Sequence, residues 1–202
     1  MFIIGIAGGS GAGKSTFVKK VIEDLAAGQV ILIRQDSYYK DNSHVPPEQR
    51  QKINFDHPSS IEFDLLEDHL LRMITGEETN QPVYSFKTCT REKEPVRVRP
   101  AKLAVLEGIL ILTSPSLRKL IDLKVFIDTC EDERLARIIY RDLHERGRTA
   151  GQVRKRYHKT VKPMHDQYIE PSKQFADIIV PGGGDNLEGI NLIRAIIKQN
   201  TE

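Results

Sequence analysis

The sequence predicts an α/β fold in which a five-stranded parallel sheet is covered by helices on both faces. Five short runs rich in Ile, Val and Leu alternate with segments of helical periodicity, and parallel strands buried on both faces have this continuous apolar character. A glycine-rich turn follows the first run directly, as in strand–turn–helix units that bind phosphate. The five runs are residues 2–7, 30–33, 103–106, 125–127 and 178–180.

The segments between these runs predict helices that pack on the sheet. Their apolar residues recur at intervals of three and four, which places them on one helical face. The stripe after the first run contains Phe17, Val18, Val21, Ile22 and Leu25, and the stripe after the fourth contains Leu135, Ile138, Ile139 and Leu143. With 202 residues, the chain is predicted to form one domain, 1–202.

Residues 36–100 form a segment too long for an ordinary loop between a strand and a helix, so we expect it to carry structure of its own. The string Ser-Ser-Ile-Glu at 59–62 predicts a capping box that opens a helix ending near Ile74. We interpret this segment as a substrate-binding insertion.

The second half of the insertion predicts a β-hairpin at the edge of the core. Residues 83–86 and 96–99 alternate with period two and are bordered by prolines, which are found at strand ends and sheet edges. Because alternate side chains of a strand point the same way, Tyr84 and Phe86 should share one face.

Composition excludes several classes of protein. Lys and Arg number 30 against 28 Asp and Glu, so the net charge is only +2, and the mean hydropathy is −0.39. The most apolar stretch, 103–112, contains Glu107 and falls far short of the roughly 20 residues of a membrane span. The first basic residue is Lys14, which argues against a secretory signal and predicts a cytosolic protein. Cys89 and Cys130 are too few for a disulfide framework or a zinc site.

The string after the first run matches the phosphate-binding pattern G-x-x-x-x-G-K-[ST]. Glycines let the backbone aim successive N–H groups at phosphate oxygens, and the following helix adds partial positive charge at its N-terminus. Lys14 would reach the outer phosphates, and the Ser15 hydroxyl would ligate Mg²⁺. The pattern therefore predicts a bound nucleoside triphosphate with Mg²⁺. The predicted phosphate-binding residues are Gly8, Gly9, Ser10, Gly11, Ala12, Gly13, Lys14, Ser15 and Thr16.

A small-molecule kinase explains this loop better than a GTPase, because the D-x-x-G and N-K-x-D strings do not occur in the chain. Such a kinase needs a base for the acceptor hydroxyl and a carboxylate near the metal. Asp36 follows the second run, at the sheet edge where ligands bind, and would be the base and help to hold hydrated Mg²⁺; a turn residue at a strand end is the alternative. Glu107 follows the third run in the place of the metal-side carboxylate, where an unpaired charge would be costly.

Positive charge is concentrated in residues 134–162, where ten Lys and Arg against two acids leave an excess of eight. On a helix, Arg134, Arg137 and Arg141 fall on one face and the aliphatic stripe on another. A solvated helix face would explain a charged stripe alone. Together with a phosphate-binding loop, however, the segment favours a lid whose arginines neutralise the transferring phosphoryl group and exclude water.

A nucleic-acid site is the alternative interpretation of residues 134–162, because basic clusters bind phosphate backbones. The segment interleaves only Tyr140 and Tyr157 as aromatic residues for stacking, and the whole chain is barely basic. We therefore expect no nucleic-acid partner, although RNA binding that survives saturating ATP would favour one.

Taken together, these strings resemble the uridine kinase (uridine-cytidine kinase) family of P-loop kinases over nearly the whole chain. The matching strings are 5–15, 36–40, 54–58, 82–84, 106–110, 141–142, 145–148 and 176–181. The resemblance implies transfer of the γ-phosphate of ATP or GTP to the 5′-hydroxyl of uridine or cytidine with Mg²⁺. It also implies a homotetramer.

The resemblance implies a role for individual residues as well. By resemblance, Asp36 is the catalytic base, Ser15 and Glu107 are Mg²⁺ partners, Asp56 accepts the ribose hydroxyls, Tyr84 and Phe86 pack on the base, Arg141 and Arg146 are lid cations, and Arg148 faces the pyrimidine.

Three positions depart from the family pattern around the predicted acceptor. Cys89 stands where the family usually has a base-reading His, Ile138 replaces an arginine, and Arg156 occupies the place of a Gln that commonly reads the base. A thiol is a poor hydrogen-bonding group compared with imidazole, and Cys89 is read as a small apolar residue of the pocket wall. Two acceptors therefore stay open: a pyrimidine nucleoside read by Arg156 and backbone groups, or another nucleoside or sugar-like molecule.

Overall fold

The computed structural model of the chain describes residues 1–50 and 52–201. In chain order, its strands are β1 (Phe2–Gly8), β2 (Val30–Arg34), β3 (Thr79–Gln81), β4 (Tyr84–Ser85), β5 (Thr90–Arg91), β6 (Val96–Val98), β7 (Leu103–Glu107), β8 (Leu123–Asp128) and β9 (Ile178–Pro181). Within this part of the chain, the main sheet has five strands in the spatial order β2-β7-β1-β8-β9, and all neighbouring pairs are parallel.

Helices occupy much of the remaining chain. They are α1 (Lys14–Ile22), α2 (Pro47–Arg50), α3 (Phe63–Ile74), α4 (Pro115–Leu120), α5 (Glu131–Glu145), α6 (Ala150–Arg156), α7 (Lys162–Met164), α8 (Glu170–Ser172) and α9 (Leu187–Thr201). Two π-helical stretches, Tyr157–Val161 and His165–Ile169, join α6, α7 and α8 into one winding helical segment. Among the described residues, no helix combines the length and the apolar composition needed to cross a membrane.

Each face of the main sheet buries a separate apolar core. Successive residues of β1 point to opposite faces, so that Ile3 enters one core and Ile4 the other. The core of Ile4 is closed by Phe17 of α1 and Ile193 of α9, whereas that of Ile3 is closed by Leu66 of α3. Helices thus cover both faces of the sheet, and the predicted α/β fold is confirmed. All five predicted strands are present and extend one to three residues beyond the predicted bounds.

The helices near the N-terminus follow the prediction with small differences. Helix α1 ends at Ile22, so Leu25 lies beyond it but still packs against the core of that face. The capping box predicted at 59–62 is wrong: the Ser59 hydroxyl lies 2.7 Å from the ring Nδ1 of His57 and does not cap the helix. Helix α3 therefore begins later, with Glu62 at its N-cap, and it ends at the predicted position.

The predicted pairing of residues 83–86 with 96–99 is also wrong. Strand β6 pairs antiparallel with β3, and β4 pairs antiparallel with β5, so the insertion carries a short hairpin nested inside an outer two-stranded ribbon. Tyr84 and Phe86 nevertheless lie side by side, with ring centroids 5.7 Å apart. The hairpin thus presents both aromatic rings to the same space.

The basic segment folds around a small core of its own. Ile138 of α5 packs with Val153, Tyr157 and Val161 of the winding helical segment, apart from the two sheet cores. The predicted division of α5 into an arginine face and an aliphatic face is only partly right. Arg134, Ile138 and Asp142 share the buried face, whereas Leu143 is exposed.

Candidate active site

A cavity of about 390 Å³ opens at the carboxyl ends of β1, β2 and β7, where open α/β sheets bind ligands. The predicted site residues that line it are Ser10, Gly11, Gly13, Lys14, Ser15, Thr16, Asp36, Asp56, Tyr84, Phe86, Cys89, Glu107, Arg141, Arg146, Arg148 and Arg156. The predicted loop residues Gly8, Gly9 and Ala12 support the loop without lining the cavity. Arg137 of the predicted arginine face also lines it. Residues that line it without having been predicted as site residues are Arg34, Tyr39, Phe55, Gly108 and Ile109. The fold therefore gathers three distant segments around one space.

The phosphate loop, residues 8–15, requires glycine at several positions, and Gly8 and Gly13 show why. Gly8 has φ 142°, and a Cβ there would collide with the carbonyl oxygen of Ile127 in β8. Gly13 has φ 94°, forms the N-cap of α1, and lies against the backbone of Gly184. The loop therefore delivers the chain directly to the N-terminus of α1, whose free N–H groups and dipole favour an anion.

Lys14 is buried at the start of α1, and its ammonium group is held inside the phosphate loop. Its Nζ donates to the carbonyl oxygens of Gly8 and Gly9, each at 3.0 Å. Burial lowers the pKa of Lys14, and the carboxylates of Glu107 and Asp36 oppose that shift. The cation is thus positioned between the loop and both predicted metal-side carboxylates.

Glu107 ends β7 with its carboxylate turned to the phosphate loop. The Ser15 hydroxyl donates to Glu107 Oε1 at 2.5 Å. The other oxygen, Oε2, is buried and has no hydrogen-bond partner in the described part of the chain. A buried anionic oxygen without a partner is costly, which indicates that a cation or donor from a ligand completes this position.

Asp36 lies in the 3₁₀ turn Gln35–Tyr38 that directly follows β2, and it lines the cavity. The fully buried Gln35 fixes this turn, since its Oε1 accepts a hydrogen bond from the Leu110 backbone N–H at 2.9 Å. A Cβ at Gly108 would overlap the Gln35 side chain, so glycine is required where the ends of β2 and β7 approach. This contact holds the two cavity carboxylates at the same edge of the sheet.

Asp56 lies on the insertion side of the cavity and forms an ion pair across it. Its Oδ2 accepts a hydrogen bond from Arg156 Nη2 at 3.2 Å, although the two residues are 100 positions apart. Burial raises the pKa of the Asp56 carboxyl, and the Arg156 guanidinium opposes that shift. Arg156 therefore favours the ionised form that can accept hydroxyl protons.

An aromatic wall, made of Tyr39, Phe55, Tyr84 and Phe86, borders the same end of the cavity. The ring centroids lie 5.2 to 6.2 Å apart and mostly meet edge to face, which fixes their orientation. Arg146 places its guanidinium 4.7 Å from the centroid of the Phe86 ring. Tyr39 and Phe55 were not predicted as site residues, because the segments around them show no periodic pattern that would mark a shared face.

The three positions that depart from the family pattern have different places in the structure. Cys89 lines the cavity, with only 7% of its surface exposed, in a left-handed conformation at φ 56° that lets its Sγ approach the Phe86 carbonyl at 3.6 Å. Ile138 is buried in the core of the basic segment and does not line the cavity. Arg156, by contrast, reaches the cavity and its carboxylate partner. Two of the three departures therefore line the cavity.

The arginines of the basic segment converge on one buried carboxylate, Asp142. Its side chain is 0% exposed and forms ion pairs with Arg141 at 3.3 Å, Arg146 at 3.5 Å and Arg148 at 2.6 Å. Sequence reasoning missed this residue because it counted as one of two acids in a basic segment. The available signal was that this acid stands four residues before Arg146 and six before Arg148.

Arg134 and His165 pack behind the phosphate loop against Gly9, where a Cβ would collide with both side chains. Arg134 donates from Nε to the Thr129 carbonyl at 3.2 Å. Burial, and then the neighbouring Arg134 charge, lower the pKa of His165 to about 4. His165 is therefore neutral beside the loop at neutral pH.

We expect the neutral state of His165 to make stability depend on pH. Because the ordinary pKa of histidine is 6.5 and the folded value is about 4, the unfolded chain takes up a proton in this interval and the folded chain does not. The contribution of His165 to the free energy of unfolding is therefore lost as pH falls from about 6.5 towards about 4. Urea unfolding of a His165→Gln variant should show a shallower loss over this range. The exposed His44→Gln variant is the control, and an equal slope for all three proteins would contradict the assignment.

Known proteins resemble this chain along nearly its whole length. A model of the phosphoribulokinase/uridine kinase family matches residues 3–188. The uridine kinase of Anoxybacillus flavithermus is 45% identical over 98% of this chain and 96% of its own, and that of Clostridium novyi is 46% identical over 98% and 95%. The solved phosphoribulokinase from Rhodobacter spheroides has a TM-score of 0.67 at 16% identity, over 89% of this chain and 69% of that one, which shows the same fold. The predicted resemblance and the P-loop kinase fold are thus confirmed, and the chain belongs to the phosphoribulokinase/uridine kinase family of phosphotransferases.

Proposed function

We propose that this chain transfers the γ-phosphate of ATP or GTP to the 5′-hydroxyl of uridine or cytidine, forming UMP or CMP. One observation carries the proposal: a phosphate loop, two acceptor-side carboxylates and an aromatic wall surround a single cavity. The 45–46% identity to proteins named uridine kinase supports the same acceptor.

The donor end of the cavity fits a triphosphate. The phosphate loop and the N-terminus of α1 would bind its phosphate oxygens. Lys14 would give up its hydrogen bonds to the two loop carbonyls and donate to the outer phosphates instead. Arg141 and Arg146 border the same cavity and would stabilise the charge that spreads over the transferring group. Together they make the donor side a preorganised anion site.

Mg²⁺ fits the residues at this end. Ser15 and Glu107 are already paired, and Glu107 Oε2, which has no hydrogen-bond partner among the described residues, offers a hard oxygen ligand. Mg²⁺ is commonly held by one or two carboxylates together with substrate phosphates, so a larger cluster of protein ligands is not needed. We propose that Ser15 and Glu107 hold the ion with help from Asp36. When bound, it would neutralise charge on the phosphates.

The acceptor end fits a nucleoside. Asp36 would orient the 5′-hydroxyl and accept its proton, which makes the oxygen a better nucleophile. Asp56, paired with Arg156, would accept hydrogen bonds from the ribose hydroxyls. The aromatic wall would pack against the base, and Arg148 faces the same space. In-line transfer then follows from positioning and electrostatics.

A different nucleoside or a sugar-like acceptor is the alternative, because Cys89 and Arg156 differ from the family pattern at the acceptor side. The structure offers the Arg156 guanidinium and a thiol where the pattern has an amide and an imidazole. The near-complete match to proteins named uridine kinase gives no better support to another acceptor.

A coupled ADP-release assay over uridine, cytidine, purine nucleosides, pantothenate and sugar phosphates tests the acceptor. We expect kcat/KM for uridine or cytidine to exceed that for every other compound by roughly tenfold or more. Rates with both pyrimidine nucleosides at the water background would overturn the proposal, and a preferred purine nucleoside or sugar would select the alternative.

The remaining proposals concern organisation. We propose that 36–100 acts as the acceptor-binding insertion and 134–162 as the lid of one domain, 1–202, and that the enzyme works in the cytoplasm. The homotetramer implied by the resemblance stays a prediction, which sedimentation would test.

A further inference from the structure

The strongest unassigned feature of the molecule is the buried carboxylate of Asp142. It lies one turn before the end of α5 and does not line the cavity, yet every arginine that contacts it does. Its Oδ1 faces Arg141 Nε at 3.3 Å and Arg146 Nη1 at 3.5 Å. Its Oδ2 faces Arg148 Nη1 at 2.6 Å and Arg156 Nη1 at 4.0 Å. One anion thus stands behind four cavity-facing cations.

The backbone of Asp142 fixes the same loop a second time. Its carbonyl oxygen accepts hydrogen bonds from the N–H groups of Arg146 at 3.3 Å and Arg148 at 3.1 Å. Gly147 between them adopts φ 62°, a left-handed conformation that turns the chain back over the helix end. Asp142 therefore fixes both the main chain and the side chains of Arg146 and Arg148.

The arginines need such an anion because they crowd one another. Within the described residues, Arg141, Arg146 and Arg148 make all of their ion pairs with Asp142. Burial, and then the nearby Arg141 charge, lower the pKa of Arg146, whereas the Asp142 charge opposes that shift. Although burial works to raise it, the guanidinium groups of Arg146, Arg148 and Arg141 hold the pKa of Asp142 below its ordinary value. Removal of the anion would leave mutual repulsion to drive the cations apart.

We infer that Asp142 is a positioning residue for phosphoryl transfer, whose buried carboxylate fixes Arg141 and Arg146 around the transferring group, and Arg148 beside the proposed base site, before substrates bind. The inference rests on the proposed phosphoryl transfer. It adds the reason why the arginines of the lid are already ordered before substrates bind. Cations that are held in place beforehand need no reorganisation when charge develops in the transition state. Asp142 itself is too deeply buried to contact a substrate.

The test is an Asp142→Asn variant, which keeps the shape of the side chain and removes its charge. We expect kcat with uridine and MgATP to fall by about 100-fold, because small misplacements of catalytic groups have effects of this size. The KM for uridine should rise by less than about tenfold, because Arg148 beside the proposed base site loses its partner while the Arg156 pair with Asp56 remains. Asp132→Asn, an exposed carboxylate on the same helix, is the matched control and should keep the wild-type kcat.

A double-mutant cycle separates positioning from a merely structural role. If Asp142 acts through the arginines, then Asp142→Asn combined with Arg146→Met should be no slower than the slower single variant. Fully multiplicative losses, or a wild-type kcat in a folded Asp142→Asn protein, would overturn the inference. Should Asp142→Asn fail to fold, Asp142→Glu keeps the charge and displaces it by one methylene. Its kcat should lie below wild type, and an unchanged kcat would again overturn the inference.

Calorimetric titration with MgATP alone keeps this test independent of the acceptor. Displaced arginines would bind the phosphates less well, so we expect affinity for MgATP to fall roughly tenfold in Asp142→Asn and to stay unchanged in Asp132→Asn. A wild-type chain that binds MgATP but phosphorylates no nucleoside would contradict the proposed acceptor only. Equal MgATP affinity in wild type and Asp142→Asn would contradict the positioning role in that case.

Discussion

Replacement of Asp36 by Asn should lower kcat by roughly 10³-fold while affinity for MgATP changes little. The amide keeps the size of the side chain but can neither accept the proton of the acceptor hydroxyl nor supply negative charge beside it. Because the phosphate loop and Glu107 are untouched, triphosphate binding should survive. Steady-state kinetics with uridine would give kcat, and calorimetry would give the dissociation constant for MgATP.

The control for this variant is Asp68→Asn, an exposed carboxylate on α3 that faces Arg72 at 3.8 Å. It should retain wild-type turnover, because exposed ion pairs contribute little. Near wild-type turnover in Asp36→Asn would show that another group accepts the proton. Loss of MgATP binding in parallel with turnover would instead assign Asp36 mainly to the donor site.

A second large effect is expected from Lys14→Met, which removes the buried ammonium from the phosphate loop. The outer phosphates would lose a charge-assisted hydrogen bond in the ground state and in the transition state. We expect kcat/KM for ATP to fall by roughly 10³-fold or more, with at least about tenfold weaker MgATP binding. Lys19→Met, an exposed lysine on the same helix, should behave as wild type.

The position of the Lys14 ammonium makes this variant informative. Without substrates it is held by the carbonyls of Gly8 and Gly9, so the loop has to release it to a phosphate. A variant with unchanged kcat/KM for ATP would show that Lys14 supports the loop without contacting the phosphates. A comparison of thermal midpoints would reveal any loss of loop stability separately.

The parts of the fold that rest on contiguous residues could be predicted. The five buried strands are continuous apolar runs, and the phosphate loop is a single string whose glycines are required by φ and by close backbone contacts. The positions of Asp36 and Glu107 at the sheet edge followed from the rule that ligands bind at the carboxyl ends of parallel strands.

The parts that depend on distant or competing contacts could not be predicted. The hairpin partners were misassigned because β3, the true partner of β6, is three residues long and entirely polar, so it shows no alternation of apolar and polar residues. The predicted capping box does not form because the Ser59 hydroxyl pairs with the ring of His57 instead of the helix backbone. The Arg156 pair with Asp56 joins positions 100 residues apart. The burial of Asp142 depends on arginines that surround it only after residues 134–162 have folded.

Identification of the product by phosphorus nuclear magnetic resonance tests the central claim most directly. With uridine and MgATP, the account predicts ADP and one new phosphomonoester in equal amounts, with its phosphorus coupled to the two 5′ protons of the ribose. The same signal should form roughly 10³-fold more slowly with Asp36→Asn. Formation of ADP without a nucleoside monophosphate, or a phosphate on another hydroxyl, would contradict the account.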